Sequence, residues 1–483
     1  MKKLLFLIGI LSSGLYGASI DHIQTYSPDY LANQAQTGMI DEVSPYYNPA
    51  GLSRLDKGKY VHLGLQLANG HEKMSYKGKE HKAHLTQLIP NVSLTSVDDN
   101  GAYFFTFGGL AGGGKLEYDG VSGIDVLSDL DQFKPLGVYD KGSTLTGKNL
   151  YEQATLGRAF TINDQLSVSV AGRIVHGSRN LSGTLNIGTN PSTAYKQAKV
   201  QQVTQEVSKA VDAATQGSGL SAAQIAAIKQ QKTTQALTLL QTKMNALQQN
   251  GLSGDLDSKR EAWGYGFQIG VNYKVNDKLN LAARYDSRIK MNFKAKGSEN
   301  QLQTADIIGS NIGLSTFYPQ YTINSKIRRD LPAILSVGAS YKVTDNYLVS
   351  TSANYYFNRH AKMDRVTTFG GHEHGRDYKN GWEIALGNEY KLNDKFTLIG
   401  SVNYARTGAK NSSFNDTEYA LNSVTLGAGL RYKYDDTLSI TGSVAHFIYD
   451  KEDGNFKEKY KVNDNQKYHK EITAFGLSVT KKF

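Results

Sequence analysis

Residues 263–286 read WGYGFQIGVNYKVNDKLNLAARYD, and the first half of this stretch decides the fold. Trp263, Tyr265, Phe267, Ile269, Val271 and Tyr273 occupy every second place, with Gly264, Gly266, Gln268, Gly270 and Asn272 between them. A period of two puts the large apolar side chains on one face of a strand and the small or polar ones on the other. The same alternation recurs in Val61, Leu63, Leu65 and Leu67, in Leu166, Val168, Val170 and Ile174, and in Val424, Leu426, Ala428 and Leu430. Between such runs lies a short polar turn: VDDNGAY at 97, INDQLSV at 162, VNDKLNL at 275, VTDNYLV at 343, LNDKFTL at 392 and YDDTLSI at 434. Asn and Asp tolerate the backbone conformations of tight turns, so these six places are read as hairpins.

The other connections are long, at about 70–81, 116–148, 177–262, 295–331, 360–380, 409–421 and 451–469. Six short turns and seven long loops require fourteen strands, with short connections on one rim and long ones on the other. That asymmetry marks a transmembrane β-barrel rather than a soluble sandwich. Closure is obligatory in lipid, which offers no partners to unpaired backbone groups. Tyrosines near strand ends (Tyr273, Tyr341, Tyr390, Tyr432, Tyr434) fit the interfacial girdles of such barrels.

Composition agrees. The 483 residues include 48 Gly, 30 Tyr and no Cys, and mean hydropathy is -0.44. No disulfide scaffold, thiolate nucleophile or Cys-ligated metal is available. Beyond the first 20 residues no run reaches the ~18 apolar residues of a spanning helix. Met1-Lys2-Lys3 followed by the apolar run Leu4 to Leu11 reads as a signal peptide over residues 1–17. The formal charge of +10 falls to about +8 without Lys2 and Lys3, an excess that suits anionic lipid.

Ahead of the first strand lies YLANQAQTGMIDEVSPYYNPAGLSRL, with Asn48-Pro49-Ala50-Gly51. Together with the fourteen strands this resembles the NPA-containing hatch of the FadL/TodX family of outer-membrane transporters for long-chain fatty acids and other hydrophobic compounds. WGYGFQIGVNYKVNDKLNLAARYDSRIK, LPAILSVGASYKV at 331 and WEIALGNEYKLNDKFTLIGSVNYARTG at 382 extend the resemblance over most of the barrel. It implies an all-β, 14-stranded antiparallel transmembrane barrel (59–483), a lumen plugged by a hatch (18–58), a pocket near the mature N-terminus and a lateral opening at a kinked third strand. It also implies location in the bacterial outer membrane.

The third strand, YFFTFGGLAGGGKLEY, carries Gly108, Gly109, Gly112, Gly113 and Gly114. Glycine inside a strand weakens pairing and permits bulges, so the opening is expected there. Ile20, Ile23 and Tyr26 are expected to meet an apolar tail. The resemblance also implies an external groove built from the outer loops, for which Ile312, Leu314, Phe317 and Tyr318 of the fourth are candidates, with packing against a neighbouring loop the alternative reading of the same residues. Arg173, Arg284, Arg288 and Arg431 fall on inward-facing positions, where each could hold a carboxylate or pair with a lumen acid such as Asp286. The third outer loop contains an Ala/Gln-rich insertion at 194–250, read as a helical hairpin: Ser221 and Gln224 form a capping box, and Gly217-Ser218-Gly219 separates two apolar-periodic runs.

GGHEHG at 370–375 is read as an exposed loop and not a metal site. GGLAGGG lacks the Lys-Ser/Thr ending of a phosphate loop, and no GxSxG elbow occurs. The reading is therefore a passive, monomeric uptake channel without cofactor or enzymatic activity, its partners a hydrophobic small molecule such as a fatty acid and outer-membrane lipid, with no nucleic acid. The alternative is a surface adhesin or general porin on the same barrel, with the helical hairpin as its binding element.

Overall fold

The computed structural model describes residues 24–131, 133–296, 301–304, 312–313, 324–364, 366–367, 373–374, 378–414 and 419–483. The proposed signal peptide, Ile20, Ile23, Leu314, Phe317, Tyr318 and His372 lie outside them, and of Ile312 only the backbone is described.

Fourteen antiparallel strands close on themselves. They are β1 (Gly58–Tyr76), β2 (Lys79–Asp98), β3 (Gly101–Tyr118), β4 (Thr144–Thr161), β5 (Leu166–Thr189), β6 (Leu252–Lys274), β7 (Leu279–Asp286), β8 (Ile334–Thr344), β9 (Tyr347–Tyr356), β10 (Gly381–Lys391), β11 (Phe396–Arg406), β12 (Ser423–Lys433), β13 (Leu438–Tyr449) and β14 (Lys467–Lys482). The ladder between β1 and β14, from Tyr60 opposite Lys482 to Ser75 opposite Lys467, completes the cylinder. The alternation seen in sequence points its apolar half outward. Trp263, Tyr265, Phe267, Ile269 and Val271 are all exposed, as are Leu63, Leu65 and Leu67. In a soluble protein such a band would be a large unsatisfied surface, whereas in a bilayer it is the lipid face.

The tight turns are closed by the side chains that marked them. Asn163, Asn276, Asn393 and Asp435 each accept two backbone N–H groups through Oδ1, from the residues two and three places on, at 2.7–3.0 Å. One carboxamide or carboxylate oxygen thus replaces the partners that the turning backbone loses.

The opposite rim departs from expectation. The segment 70–81 is no loop: β1 and β2 stay paired up to Tyr76 opposite Lys79, joined by Lys77 and Gly78, both at positive φ. Likewise β5 and β6 remain paired as far as Ile187 opposite Leu252, so much of 177–262 is strand. The strand between Leu279 and Asp286 is shorter than expected, and the chain then makes only an isolated bridge at Ile289 before pairing again at Asn292–Ala295. The segment 116–148 is also ordered. Val126, Leu127 and Phe133 bury against a core shared with Met74, Tyr76 and Leu85. Asp129 there takes the Tyr76 hydroxyl at 2.7 Å, and Asp125 takes His81 and Lys79 at 2.6 Å each.

The insertion forms two helices, Thr193–Thr215 and Ala222–Asn250. The second begins with the capping box expected from Ser221 and Gln224. Met244, Leu247 and Val211 are buried, and Leu247 accepts the Thr189 hydroxyl at 3.0 Å, which seats the hairpin on the end of β5.

Candidate functional site in the lumen

Residues 24–57 fill the lumen, and the wall supplies what their irregular backbone lacks. A plug without regular ladders must find other partners for its N–H and C=O groups. Serine hydroxyls on inward strand positions provide them: Ser443 donates to Pro28 O at 2.7 Å, Ser401 to Ala32 O at 2.8 Å, Ser340 to Gly38 O at 2.8 Å and Ser167 to Ala50 O at 2.7 Å, while Ser352 Oγ accepts Thr37 N–H at 2.9 Å. Contact is close enough that a Cβ on Gly38 would fall on the backbone of Ala339 in β8. Sequence reasoning missed these serines, although each stands at an inward place in its strand's alternation.

Asn48, Pro49, Ala50 and Gly51 act as a corner. Pro49 opens a 3-10 helix at Pro49–Arg54, whose first turn Asn48 caps by accepting Gly51 N–H at 3.2 Å. The Asn48 amide also donates to Met39 O at 2.9 Å and to Asn272 Oδ1 of β6 at 2.8 Å. One side chain therefore holds the cap, an earlier hatch segment and the barrel wall. Asn48→Ala is expected to loosen hatch docking by ~1–3 kcal/mol, the range for a lost cap with buried partners left unsatisfied. Faster hydrogen exchange at residues 39–54 with unchanged barrel amides would report it.

The four arginines offered as carboxylate holders all face protein oxygens. Arg173 donates to Gln153 Oε1 at 2.9 and 2.6 Å and lies 3.4 Å from Asp286. Arg284, buried, shares Asp286 at 3.1 Å and donates to Ser336 at 3.3 Å, to Gln24 Oε1 and to Tyr46 O. Arg431 meets Glu389 at 3.0 Å. Arg288 lies beyond the end of β7, not on an inward strand position; it is exposed, donates to His360 O at 2.9 Å and sits 3.6 Å from Asp330. Arg173 and Arg284 come together around Asp286, and the other two stand apart.

Tyr26 joins Tyr30, Tyr46 and Tyr47 in a buried aromatic cluster, with ring centroids 5.5–6.0 Å apart. Leu110, from the glycine-rich part of β3, packs against that cluster from the wall.

The glycine run lies where the wall changes. The β2–β3 ladder begins at Asp98 opposite Gly101 and stops at Asn91 opposite Gly108, next to Pro90, which has no N–H to donate. On its other side β3 stays with β4 but slips register twice, between Gly109 and Ala111 and between Ala111 and Gly114. Gly112 and Gly114 have φ of 123° and 68°, a region that only glycine enters cheaply. The bulges use up residues on β3 just where Leu110, inward by the same alternation as Ala102, Phe104 and Thr106, meets the hatch. Against the inner side of this seam lies a cavity of about 120 Å³, walled by Leu31 of the hatch and by Leu85, Ile89, Leu110, Phe447 and Ile472.

The molecule thus combines a closed fourteen-stranded barrel, a luminal N-terminal segment turned on Asn48-Pro49-Ala50 and a β2–β3 ladder that stops short. A profile described as outer membrane protein transport protein (OMPP1/FadL/TodX) matches residues 31–483. The chain belongs to the OMPP1/FadL/TodX family. It is accordingly an outer-membrane protein of a family of transport proteins. Outer membrane protein P1 of Haemophilus influenzae is 24% identical over 257 residues, 51% of this chain and 52% of that one. The long-chain fatty acid transport protein of Escherichia coli O157:H7 is 22% identical over 275 residues, 56% and 58% of the two chains. The chain thus spans a little over half the length of these curated relatives. Among solved structures, the Pseudomonas putida toluene transporter TodX superposes with a TM-score of 0.63 at 16% identity, covering 95% of this chain and 99% of TodX. A Pseudomonas aeruginosa FadL homologue gives 0.61 at 15% identity, covering 97% and 100%. At these identities the structural likeness speaks for the fold.

Proposed function

We propose that this member of the OMPP1/FadL/TodX family is a passive uptake channel for hydrophobic small molecules, in which the hatch shifts to release ligand and the ligand leaves sideways between β2 and β3. The observation that carries the proposal is the coincidence of three features: the ladder ends at Asn91 and Gly108, the bulged glycines follow, and the apolar cavity abuts both. A hydrophobic solute gains nothing from a watery exit; one leaving through the wall passes from apolar cavity to lipid without crossing water. A general porin fits less well, because residues 24–57 occupy the lumen and are hydrogen-bonded to side chains on several sides of the wall. Long-chain fatty acids remain the substrate expected from the resemblance. The geometry supports the wider class further than the carboxylate, since Arg173, Arg284, Arg288 and Arg431 are each within reach of an acidic partner.

The test is direct. Expressed in the outer membrane of a host lacking its own channel for hydrophobic compounds, the protein is expected to speed entry of a radiolabelled hydrophobic probe, toluene or oleate, at least tenfold. Entry of both probes at the rate of the empty host would sink the proposal.

A further inference from the structure

Building on the uptake reading, we infer that the luminal cavity selects uncharged hydrophobic molecules over carboxylates, and that Glu72 is the residue that sets the preference. Among the described residues on the cavity wall, Glu72 is the one charged side chain. It is buried, and so is Lys470, its direct cross-strand partner between β1 and β14. The register of barrel closure fixes that pairing, so it does not depend on a chance rotamer.

The cation is fully engaged. Lys470 Nζ lies 3.3 Å from Glu72 Oε1 and sits over the rings of Tyr419 and Tyr449, 4.9 and 5.8 Å from their centroids. Glu72 Oε2 accepts the Tyr118 hydroxyl at 3.3 Å, and that hydroxyl is 3.1 Å from the Tyr419 hydroxyl. Lys470 is not among the residues that line the cavity, and Glu72 is. A ligand entering with a negative head therefore meets Glu72 in an apolar pocket open along the seam, where charges are screened less than in bulk water, and finds the nearest cation already paired.

The rest of the wall suits a neutral guest. Gln66 donates one amide N–H to Thr25 O at 3.0 Å and Gln87 one to Leu88 O at 2.9 Å, and each keeps an amide oxygen that can accept from a hydroxyl. At about 120 Å³ the cavity is close to the ~150 Å³ apolar cavity known to hold one benzene molecule. The ligand class that fits is thus an uncharged single-ring or short-chain hydrophobic compound, such as an arene, a phenol or an alcohol, and a longer tail has to run out along the open seam.

The probes are 4-butylphenol and 4-butylbenzoate at pH 8, matched in ring and tail and differing in charge. Their binding to the full chain in nanodiscs is measured by equilibrium dialysis against empty nanodiscs. The phenol is expected to bind at least tenfold more tightly. Glu72→Gln, which releases Lys470 toward the cavity, is expected to strengthen benzoate binding at least tenfold and leave the phenol within twofold. Because that variant strands a buried lysine and could fail to fold, Glu72→Gln with Lys470→Met is the second arm; its discrimination is expected to fall below threefold. Equal binding of both probes to the unaltered protein would overturn the inference and leave the uptake reading standing, as would discrimination unchanged in both variants. Retention of neither probe above empty nanodiscs would overturn luminal binding itself, and the inference with it.

Discussion

Tying β2 to β3 with a disulfide, through Ile89→Cys and Gly109→Cys, is expected to reduce uptake of a hydrophobic probe at least tenfold in the oxidised protein, with recovery on reduction. Ile89 lies two residues and Gly109 one residue beyond the last ladder pair, Asn91 opposite Gly108. A Cβ built on Gly109 falls 3.0 Å from Ile89 Cγ2, which brings the two Cβ atoms into the range a disulfide spans. The chain has no cysteine of its own, so any redox effect belongs to the new bond. The cross-link adds little bulk to the cavity, and its action would be to stop the strands from parting. Transport through the wall requires them to part; transport straight down the lumen past the hatch does not. Uptake that is unaffected by a confirmed disulfide would therefore remove the lateral route while leaving a channel in place.

How much of this was legible in the sequence follows from which solvent each segment meets. Lipid on one side and a polar lumen on the other force a period of two, so the membrane-level strands and their number could be read, and the Asn and Asp that close the turns announced themselves. Above the membrane the constraint disappears. His71, Lys73 and Ser75 make the outward face polar while Glu72 and Met74 stay buried on the inward one, so the stretch looks like a loop although β1 and β2 stay paired to their tip. The helical insertion was legible for the opposite reason, since Ser221 and Gln224 signal a helix start locally whatever surrounds it.

Within the lumen, local chemistry was visible but partnership was not. Asp286 could be named as a partner for inward arginines because Arg284 stands two places from it on one face of a strand. Glu72 and Lys470 could not be paired, because they come from the first and last strands and meet only when the barrel closes. The same holds for the serines that receive the hatch. Each was readable as an inward residue, but its function exists only once residues 24–57 lie against it.

That dependence gives Arg284 the largest expected effect on the hatch. Its guanidinium reaches from β7 into the plug, donating to Tyr46 O and Gln24 Oε1, and is held on the wall side by Asp286 and Ser336. Arg284→Met keeps length and apolar volume but withdraws every donor. Asp286 would keep Arg173 at 3.4 Å and Gln268 at 2.7 Å, so the wall retains an ion pair while the hatch loses its anchor. Leaving Tyr46 O and Gln24 Oε1 buried without their donor costs ~1–3 kcal/mol for each group, because they stay desolvated and unsatisfied. The cost should fall on docking and not on the barrel, whose ladders from β8 to β14 do not involve this side chain. The expected result is a folded barrel that admits small hydrophilic solutes: liposomes carrying the variant should swell in sugar solutions at least tenfold faster than those carrying the unaltered protein, while heat-dependent migration on gels confirms an intact cylinder. Tight liposomes with an intact variant barrel would mean that the serine contacts and the Asn48 corner hold the hatch without Arg284, and that the anchor lies elsewhere.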